Sequence, residues 1–273
     1  MTEKVHADKI ALITGASRGI GRQLAEQLAS GGAKVVVNYK KNVGLAEDVV
    51  ERLKELGGDG IAVQADVENP EDIVRLFDTV AETYGRLDYF VNNAAAAAFK
   101  RVMELRTHHL DRSYAMNVRP FVLGSEEAVK LMDQGGRIVA VTSYGSHRAF
   151  PTYAALGSYK AAIESFVRYM AVEFAPYGIN VNAVNGGLID SDSLEYFYNV
   201  PGQAPMDTVI AKIPKGRPGT IADMANAIEF LLSPNSDYIT GQTLVVDGGM
   251  TVAAPPYFHE TSEPISIPER PTR

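Results

Sequence analysis

A single α/β domain built on a parallel sheet is what this chain predicts, and three observations carry the prediction. Short runs that are apolar throughout, rather than alternating, recur along the 273 residues. Amphipathic stretches of helical length separate them. Turn residues mark most of the joins. Strands that are apolar on both sides are covered on both faces, and strict alternation of β and α units implies parallel strands joined by right-handed crossovers.

The elements follow in order. Residues 10–14 (IALIT) read as a buried strand, and 19–31 as a helix with Leu24, Ala25 and Leu28 on one face. Strand 34–38 (KVVVN) precedes helix 45–56, and strand 60–64 precedes helix 72–84. Strand 87–92 leads into a largely helical region, about 106–132. Strand 137–142 (RIVAVT) is followed by a long helix, 153–174, and strand 179–184 by a helix at 221–232. Strand 243–246 closes a sheet of seven. Two stretches break the rhythm. Residues 186–217 are rich in Tyr, Phe and Pro and lack periodicity, which suits a lid or binding loop. Beyond residue 254 come five prolines, at 255, 256, 264, 268 and 271, so this tail is neither a helix nor a central strand. It reads as a disordered tail or as an extended arm on another surface. The domain is expected to span 1–253 and the tail 254–273.

Composition narrows the function. Cysteine is absent, which removes disulfide scaffolds, thiol nucleophiles and cysteine metal sites. A net charge of −7 argues against nucleic acid as the main partner. The N-terminal MTEKVHADK has no apolar core of signal length and no run of 18 apolar residues occurs, so a soluble cytoplasmic protein is expected, with no membrane partner. His108, His109 and His147 fall at no metal-site spacing, and no metal is expected.

The most chemical stretch is Thr14-Gly15-Ala16-Ser17-Arg18-Gly19-Ile20-Gly21, between the first strand and the first helix. Glycines allow a tight turn and close approach of a phosphate to backbone amides, and the helix N-terminus adds N–H donors and partial positive charge. With Asn92-Asn93-Ala94 after the fourth strand, Asn117 in a helix, Ser143 after the fifth strand, Lys160 on the next helix and Asp247-Gly248-Gly249 near the end, the chain from about 7 to 251 resembles the short-chain dehydrogenase/reductase family. The resemblance implies a Rossmann-type, doubly wound sheet with a nucleotide in the crevice at the strand C-termini.

It also implies a nicotinamide cofactor held by Gly15, Ser17, Arg18, Gly19, Ile20 and Gly21. Asp66 and Val67 would flank the adenine, Asn92 and Ala94 the ribose side, Lys160 the nicotinamide ribose, and Gly186 and Ile189 the nicotinamide end. Residue 95 is alanine where the family has glycine, and Asn185-Gly186 stands where the family commonly has Pro-Gly, which puts that loop's rigidity in question. Charge selects NADPH. Asn38-Tyr39-Lys40-Lys41 follows the second strand with no acid among them, and Arg18 adds a cation that can grip a 2′-phosphate through paired donors.

For catalysis, Tyr153 and Lys160 lie seven residues apart in YAALGSYK, and Leu156 occupies the position four before the lysine. On a helix, positions i and i+7 share a face two turns apart, whereas Tyr159 points about 100° away. This spacing resembles the enoyl-acyl-carrier-protein reductases, most of all their type III branch. There the hydride goes to the β-carbon of an enoyl thioester, so the oxygen that gathers charge lies farther from the nicotinamide than in ketone reduction. Tyr153 would steady that oxygen, Lys160 hold the ribose, Ser143 position substrate or Tyr153, and Asn117 support the lysine through water. Tyr144, Leu188, Tyr196 and Phe197 are the candidate substrate contacts, the last three from a segment that either covers the acyl group or packs a subunit interface. A carbonyl or imine reductase on the same scaffold, or a catalytically silent nucleotide-binding protein, are the alternatives. The substrate is thus expected to be a small acyl or carbonyl compound, its carrier protein or coenzyme A left open. The family resemblance implies a homotetramer joined through 106–132 and 153–174.

Overall fold

A computed structural model describes residues 4–96, 98–133, 135–199 and 205–252. Seven parallel strands form one sheet in the order β3-β2-β1-β4-β5-β6-β7. They are β1 Ile10–Ile13, β2 Lys34–Tyr39, β3 Asp59–Gln64, β4 Tyr89–Asn92, β5 Arg137–Ser143, β6 Asn180–Gly186 and β7 Thr243–Val246. The helices are α1 Gly19–Ser30, α2 Val43–Glu55, α3 Pro70–Tyr84, α4 Thr107–Leu131, α5 Ala154–Phe174, α6 Asp192–Tyr198, α7 Met206–Ile210 and α8 Ile221–Leu232.

The period of two along each strand divides the core. Ala11, Ile13, Val35 and Val37 face a layer with Leu24, Leu28, Val49 and Ile228, contributed by α1, α2 and α8. Ile10, Leu12 and Val36 face the other way, onto Leu76, Phe77, Phe121 and Ile163 of α3, α4 and α5. Both faces of the central strands are covered, so β1, β2, β4 and β5 are buried almost throughout. Close packing depends on small residues at two crossings. A Cβ on Gly60 would lie 2.2 Å from the Val35 carbonyl oxygen, and one on Gly124 would lie 2.7 Å from the Phe90 ring.

Chain order reverses between β1 and β4, which lie side by side. The loops leaving these strands therefore diverge and open a crevice at their C-terminal ends. Residues 14–21, 93–96, 98–99, 143–153 and 186–191 all rise from that edge.

Two expectations change here. Tyr153 is not inside the long helix but is its N-cap residue, at φ −93 and ψ 0, so the argument from a shared helical face does not apply to it. The stretch 186–217 is not featureless, because α6 and α7 lie within it. Polar and aromatic residues mask the short apolar spacing of both. Residues 200–204 of that stretch and the tail 254–273 fall outside the described residues. Among the described residues, no helix is long and apolar enough to cross a membrane, and no cluster of three metal-ligating side chains occurs.

Candidate active site

Gly15 and Gly19 adopt φ of +63 and +58, a backbone region that L side chains enter only with strain. A Cβ on Gly21 would sit 2.7 Å from the Gly15 carbonyl oxygen, whereas one on Gly19 would meet nothing within 4 Å. The loop is thus closed beneath and open above. No side chain caps α1, whose N-cap is Arg18, so its first-turn amides keep their capacity for an anion. Ser17 and Ile20 are partly buried in this turn. An open, amide-lined cradle at a helix N-terminus fits the pyrophosphate of a dinucleotide.

Neighbouring loops brace the cradle. The Thr14 hydroxyl oxygen accepts from the backbone N–H groups of Asn93 and Ala94, both at 3.0 Å, and the Asn93 amide donates to the carbonyls of Thr14 at 2.9 Å and Gly15 at 3.1 Å. Asn38 is buried and fully committed. Its Oδ1 accepts from Gly15 N–H at 3.2 Å, and its Nδ2 donates to the Ala65 carbonyl at 3.1 Å. The Asn38 side chain therefore shapes the loop and does not face a ligand, and Tyr39 is buried in the core as well. Asn92 is buried too, and neither polar atom of its amide has a hydrogen-bond partner among the described residues.

The cation cluster differs in space from its reading along the chain. Lys40 is gripped by Asp66 at 2.9 Å and Glu68 at 3.1 Å, from the turn after β3 where Val67 is buried. Burial works to lower the Lys40 pKa, but the two carboxylates outweigh it and raise it. Arg18 lies 3.2 Å from Asp192 on α6, both side chains largely exposed. Lys41 is exposed. A 2′-phosphate would thus meet Arg18 and Lys41 more readily than Lys40.

At the other end of the crevice, the Tyr153 phenol donates to Ser143 Oγ at 3.1 Å. Burial pushes this phenol above the ordinary 10, and the Ser143 hydrogen bond opposes the rise. The group stays a protonated donor at neutral pH, which suits stabilising an oxyanion. Glycines set its place. A Cβ on Gly145 would lie 2.5 Å from the Tyr153 ring, and one on Gly157 would lie 2.5 Å from the Gly145 carbonyl oxygen. Leu156 is buried and lines the cavity, so no hydroxyl occupies the nearer turn. Tyr159 packs instead edge-on to Tyr114 of α4.

Lys160 is buried and donates to the Val141 carbonyl at 2.7 Å. Burial pulls its ammonium down from 10.5 to about 8, against the attraction of Glu164. Asn117, expected to support this lysine, donates its amide to the carbonyls of Ala96 and Ser113, each at 2.8 Å. It pins the loop after β4, at Ala96, to α4.

Sequence reasoning missed Glu164 and Asn185. Glu164 Oε1 accepts from Thr142 at 2.8 Å, Ser146 at 2.7 Å and Asn185 at 2.7 Å, and its Oε2 lies 3.0 Å from His147. Asn185 also donates to the Ser143 carbonyl at 3.0 Å. The question of loop rigidity raised by Asn185-Gly186 has its answer in this network: both residues end β6, and the Asn185 amide ties β6 to the Ser143–Ser146 turn. The position of Glu164, four after the lysine on one helix face, was the available signal.

The cavity above Tyr153 and Ser143 encloses about 1290 Å³. Phe99 stacks on Tyr153 at 5.5 Å and meets Phe197 at 5.2 Å and Tyr196 at 5.6 Å. Phe150 lies 4.3 Å from Tyr153 and stacks on Tyr144 at 5.1 Å. Leu188, Ile189, Gly186 and Met250 complete the wall. Phe99 and Phe150 had no periodicity or motif to mark them. A mostly apolar cavity with few polar groups at one end suits an acyl chain whose carbonyl is held.

Comparison with known proteins agrees. Residues 15–251 match the family model described as Enoyl-(Acyl carrier protein) reductase. The chain is 66% identical to a 1-cyclohexenylcarbonyl-CoA reductase of Streptomyces collinus, over 97% of this chain and 95% of that protein. It is 36% identical to the trihydroxynaphthalene reductase PfmaI of Pestalotiopsis fici, over 88% of each. A short-chain dehydrogenase of Burkholderia cenocepacia, solved in complex with NADP, superposes at a TM-score of 0.84 with 33% identity, over 90% of this chain and 99% of that one. The chain belongs to the short-chain dehydrogenase/reductase family, in its enoyl reductase branch, and is an oxidoreductase that uses a nicotinamide cofactor.

Proposed function

We propose that the protein is an NADPH-dependent enoyl thioester reductase acting on a coenzyme A thioester. The observation that carries this reading is that the hydroxyl at the base of the cavity belongs to Tyr153, paired with Ser143 at 3.1 Å, while Leu156 fills the nearer turn. The relative from Streptomyces collinus, named for reduction of a cyclohexenyl CoA thioester, supports it. A reduced nicotinamide, when bound, supplies hydride to the β-carbon. Tyr153 turns its O–H from Ser143 to the thioester oxygen as negative charge gathers there, and the Ser143 hydroxyl then donates to the phenol oxygen and orients it. Lys160 holds the ribose and keeps positive charge behind the reacting oxygen. Phe99, Phe150 and Phe197 keep water away and align the acyl group.

NADPH is preferred because Arg18 and Lys41 stand at the ribose end without a carboxylate replacing them along β2. The described residues of 186–217, with α6 and α7, act as the lid of a single domain. Leu110, Tyr114, Phe166, Tyr169 and Val172 leave apolar surface exposed on α4 and α5, which supports a homotetramer.

A carbonyl reductase has the relatives near 36% identity in its favour, but it asks for a hydroxyl where Leu156 stands. Crotonyl-CoA and a panel of cyclic ketones, each followed by NADPH absorbance, separate the two. Turnover of the thioester with ketones inert is the expected result; the reverse sinks the reading.

A further inference from the structure

We propose that the exposed lip formed by residues 100–106 is the binding site for the phosphorylated nucleotide end of the coenzyme A thioester. The proposal rests on the enoyl thioester reading and says where the carrier lies. The lip is bracketed by the cavity: Ala98 and Phe99 line it on one side, and His108 and His109 on the other. Lys100 N–H donates to the Thr152 carbonyl at 3.0 Å, which fixes the lip beside Tyr153. A thioester whose oxygen meets the Tyr153 hydroxyl thus leaves the cavity past this segment.

Charge and shape there fit one ligand class. In a chain of net charge −7, Lys100, Arg101 and Arg106 fall within seven residues. None of the three has an ion-pair partner among the described residues, whereas Arg112, one turn into α4, is held by Glu68 at 3.0 Å. Glu104, the acid in the lip, turns its carboxylate to the Arg101 N–H at 3.2 Å. The His109 ring accepts the Arg106 N–H at 3.0 Å. Its pKa is lowered by desolvation first and then by the neighbouring His108, Lys100 and Arg106, so these side chains lie close together. Between the cations, Val102 and Met103 are exposed at 66% and 89%. Cations around an exposed apolar surface match a ligand with three phosphate groups and a purine ring. The pantetheine arm would run along Phe99 and Thr152, and the phosphates would meet Lys100, Arg101 and Arg106. An acidic carrier protein would also favour cations, but it needs a broad surface; this lip is one narrow segment between two cavity walls, scaled to a single extended molecule.

The test compares crotonyl-CoA with crotonyl-N-acetylcysteamine, a thioester that lacks the nucleotide, in the triple variant Lys100→Ala, Arg101→Ala, Arg106→Ala. The KM for crotonyl-CoA is expected to rise about tenfold, as loss of three exposed charge contacts implies, with kcat nearly unchanged. The KM for the truncated thioester moves less than about twofold, which also shows that the variant folds. Equal shifts for both thioesters, or none for crotonyl-CoA, overturn the proposal. A larger loss with a crotonyl acyl carrier protein than with crotonyl-CoA overturns it in favour of protein docking. Free coenzyme A titrated calorimetrically into the NADPH-loaded parent and variant gives a readout independent of turnover. Binding to the parent that the variant loses, with no crotonyl reduction, would sink the enoyl reading and keep the nucleotide site. No binding to the parent would sink the site.

Discussion

The cofactor end and the substrate end of the crevice rise from the same sheet edge but are held by different means. At the cofactor end, one short run, Thr14 to Gly21, supplies turn, amides and helix terminus together, and its braces are Asn38 of β2 and Asn93 after β4, whose side chains bond to its backbone. At the substrate end, four aromatic rings converge from three places: Phe99 after β4, Phe150 and Tyr153 before α5, Phe197 on α6. Backbone recognition of a phosphate needs glycines at fixed spacing and tolerates little else. An apolar cavity needs only bulk of the right volume, and many residues can supply it. The first end is therefore shared across a family, and the second is free to define a substrate.

The sharpest way to break this division is at Tyr153. Replacement by Phe keeps the ring, and hence its packing on Phe99 and Phe150, and removes only the hydroxyl. We expect kcat for crotonyl-CoA to fall by roughly 10²–10³, the range for loss of one oxyanion donor, with NADPH affinity unchanged. Fluorescence titration of NADPH beside steady-state kinetics reads both. Retained turnover would mean that another group, Ser143 first, steadies the oxygen.

The same contrast explains what could be read from the residues alone. The seven strands and the glycine loop were legible because apolar runs and glycine spacing are local, and the loop and Ser143 follow strand ends that share one edge in this architecture. Tyr153 was singled out by its spacing from Lys160, and the reason given, a shared helical face, fails because Tyr153 caps the helix. The partners of Lys40 were hidden. Asp66 and Glu68 lie more than twenty residues away in sequence, and only the pairing of β2 with β3 brings them to the lysine. The brace of Glu164 with Asn185 was hidden for the same reason, since it joins α5 to β6 across the turn after β5. Local patterns mark backbone geometry well; ion pairs and ring clusters that close through the fold leave no local mark.

Lys160 belongs to both ends, and its burial gives a pH signature of intermediate size. Its folded pKa is about 8 against an ordinary 10.5. The unfolded chain therefore binds more protons between these values, and stability rises with pH through that window. Below pH 8 the full cost is present, about 3 kcal/mol by the linkage relation, and above 10.5 it is gone. In Lys160→Met this rise should vanish from urea midpoints measured between pH 8 and 10.5. Activity should respond in the opposite sense. The kcat/KM for NADPH should fall as pH passes about 8, where the ammonium is lost, and Met at this position should lower it by about a hundredfold without that pH limb. A pH limb that survives in the variant would assign the titration to another group.

The smallest expected effect is at Arg18, and it tests whether the two ends communicate. Arg18 sits on the glycine loop but reaches Asp192 of α6, the helix that also carries Phe197. Both side chains are largely exposed, so the pair itself adds little stability. A 2′-phosphate would compete with Asp192 for the same guanidinium and offers more charge and better fork geometry. Arg18→Ala should therefore raise the KM for NADPH about fivefold and leave that for NADH unchanged. Asp192→Asn should act the other way, lowering the KM for NADPH by up to about twofold, because it removes the competitor. Equal loss with both cofactors in Arg18→Ala would show that the arginine supports the loop and does not read the phosphate, leaving Lys41 to carry the preference. Opposite signs in the two variants would instead make the cofactor's phosphate the agent that frees α6 from the glycine loop, so that the helix over the acyl cavity responds to which nicotinamide has bound.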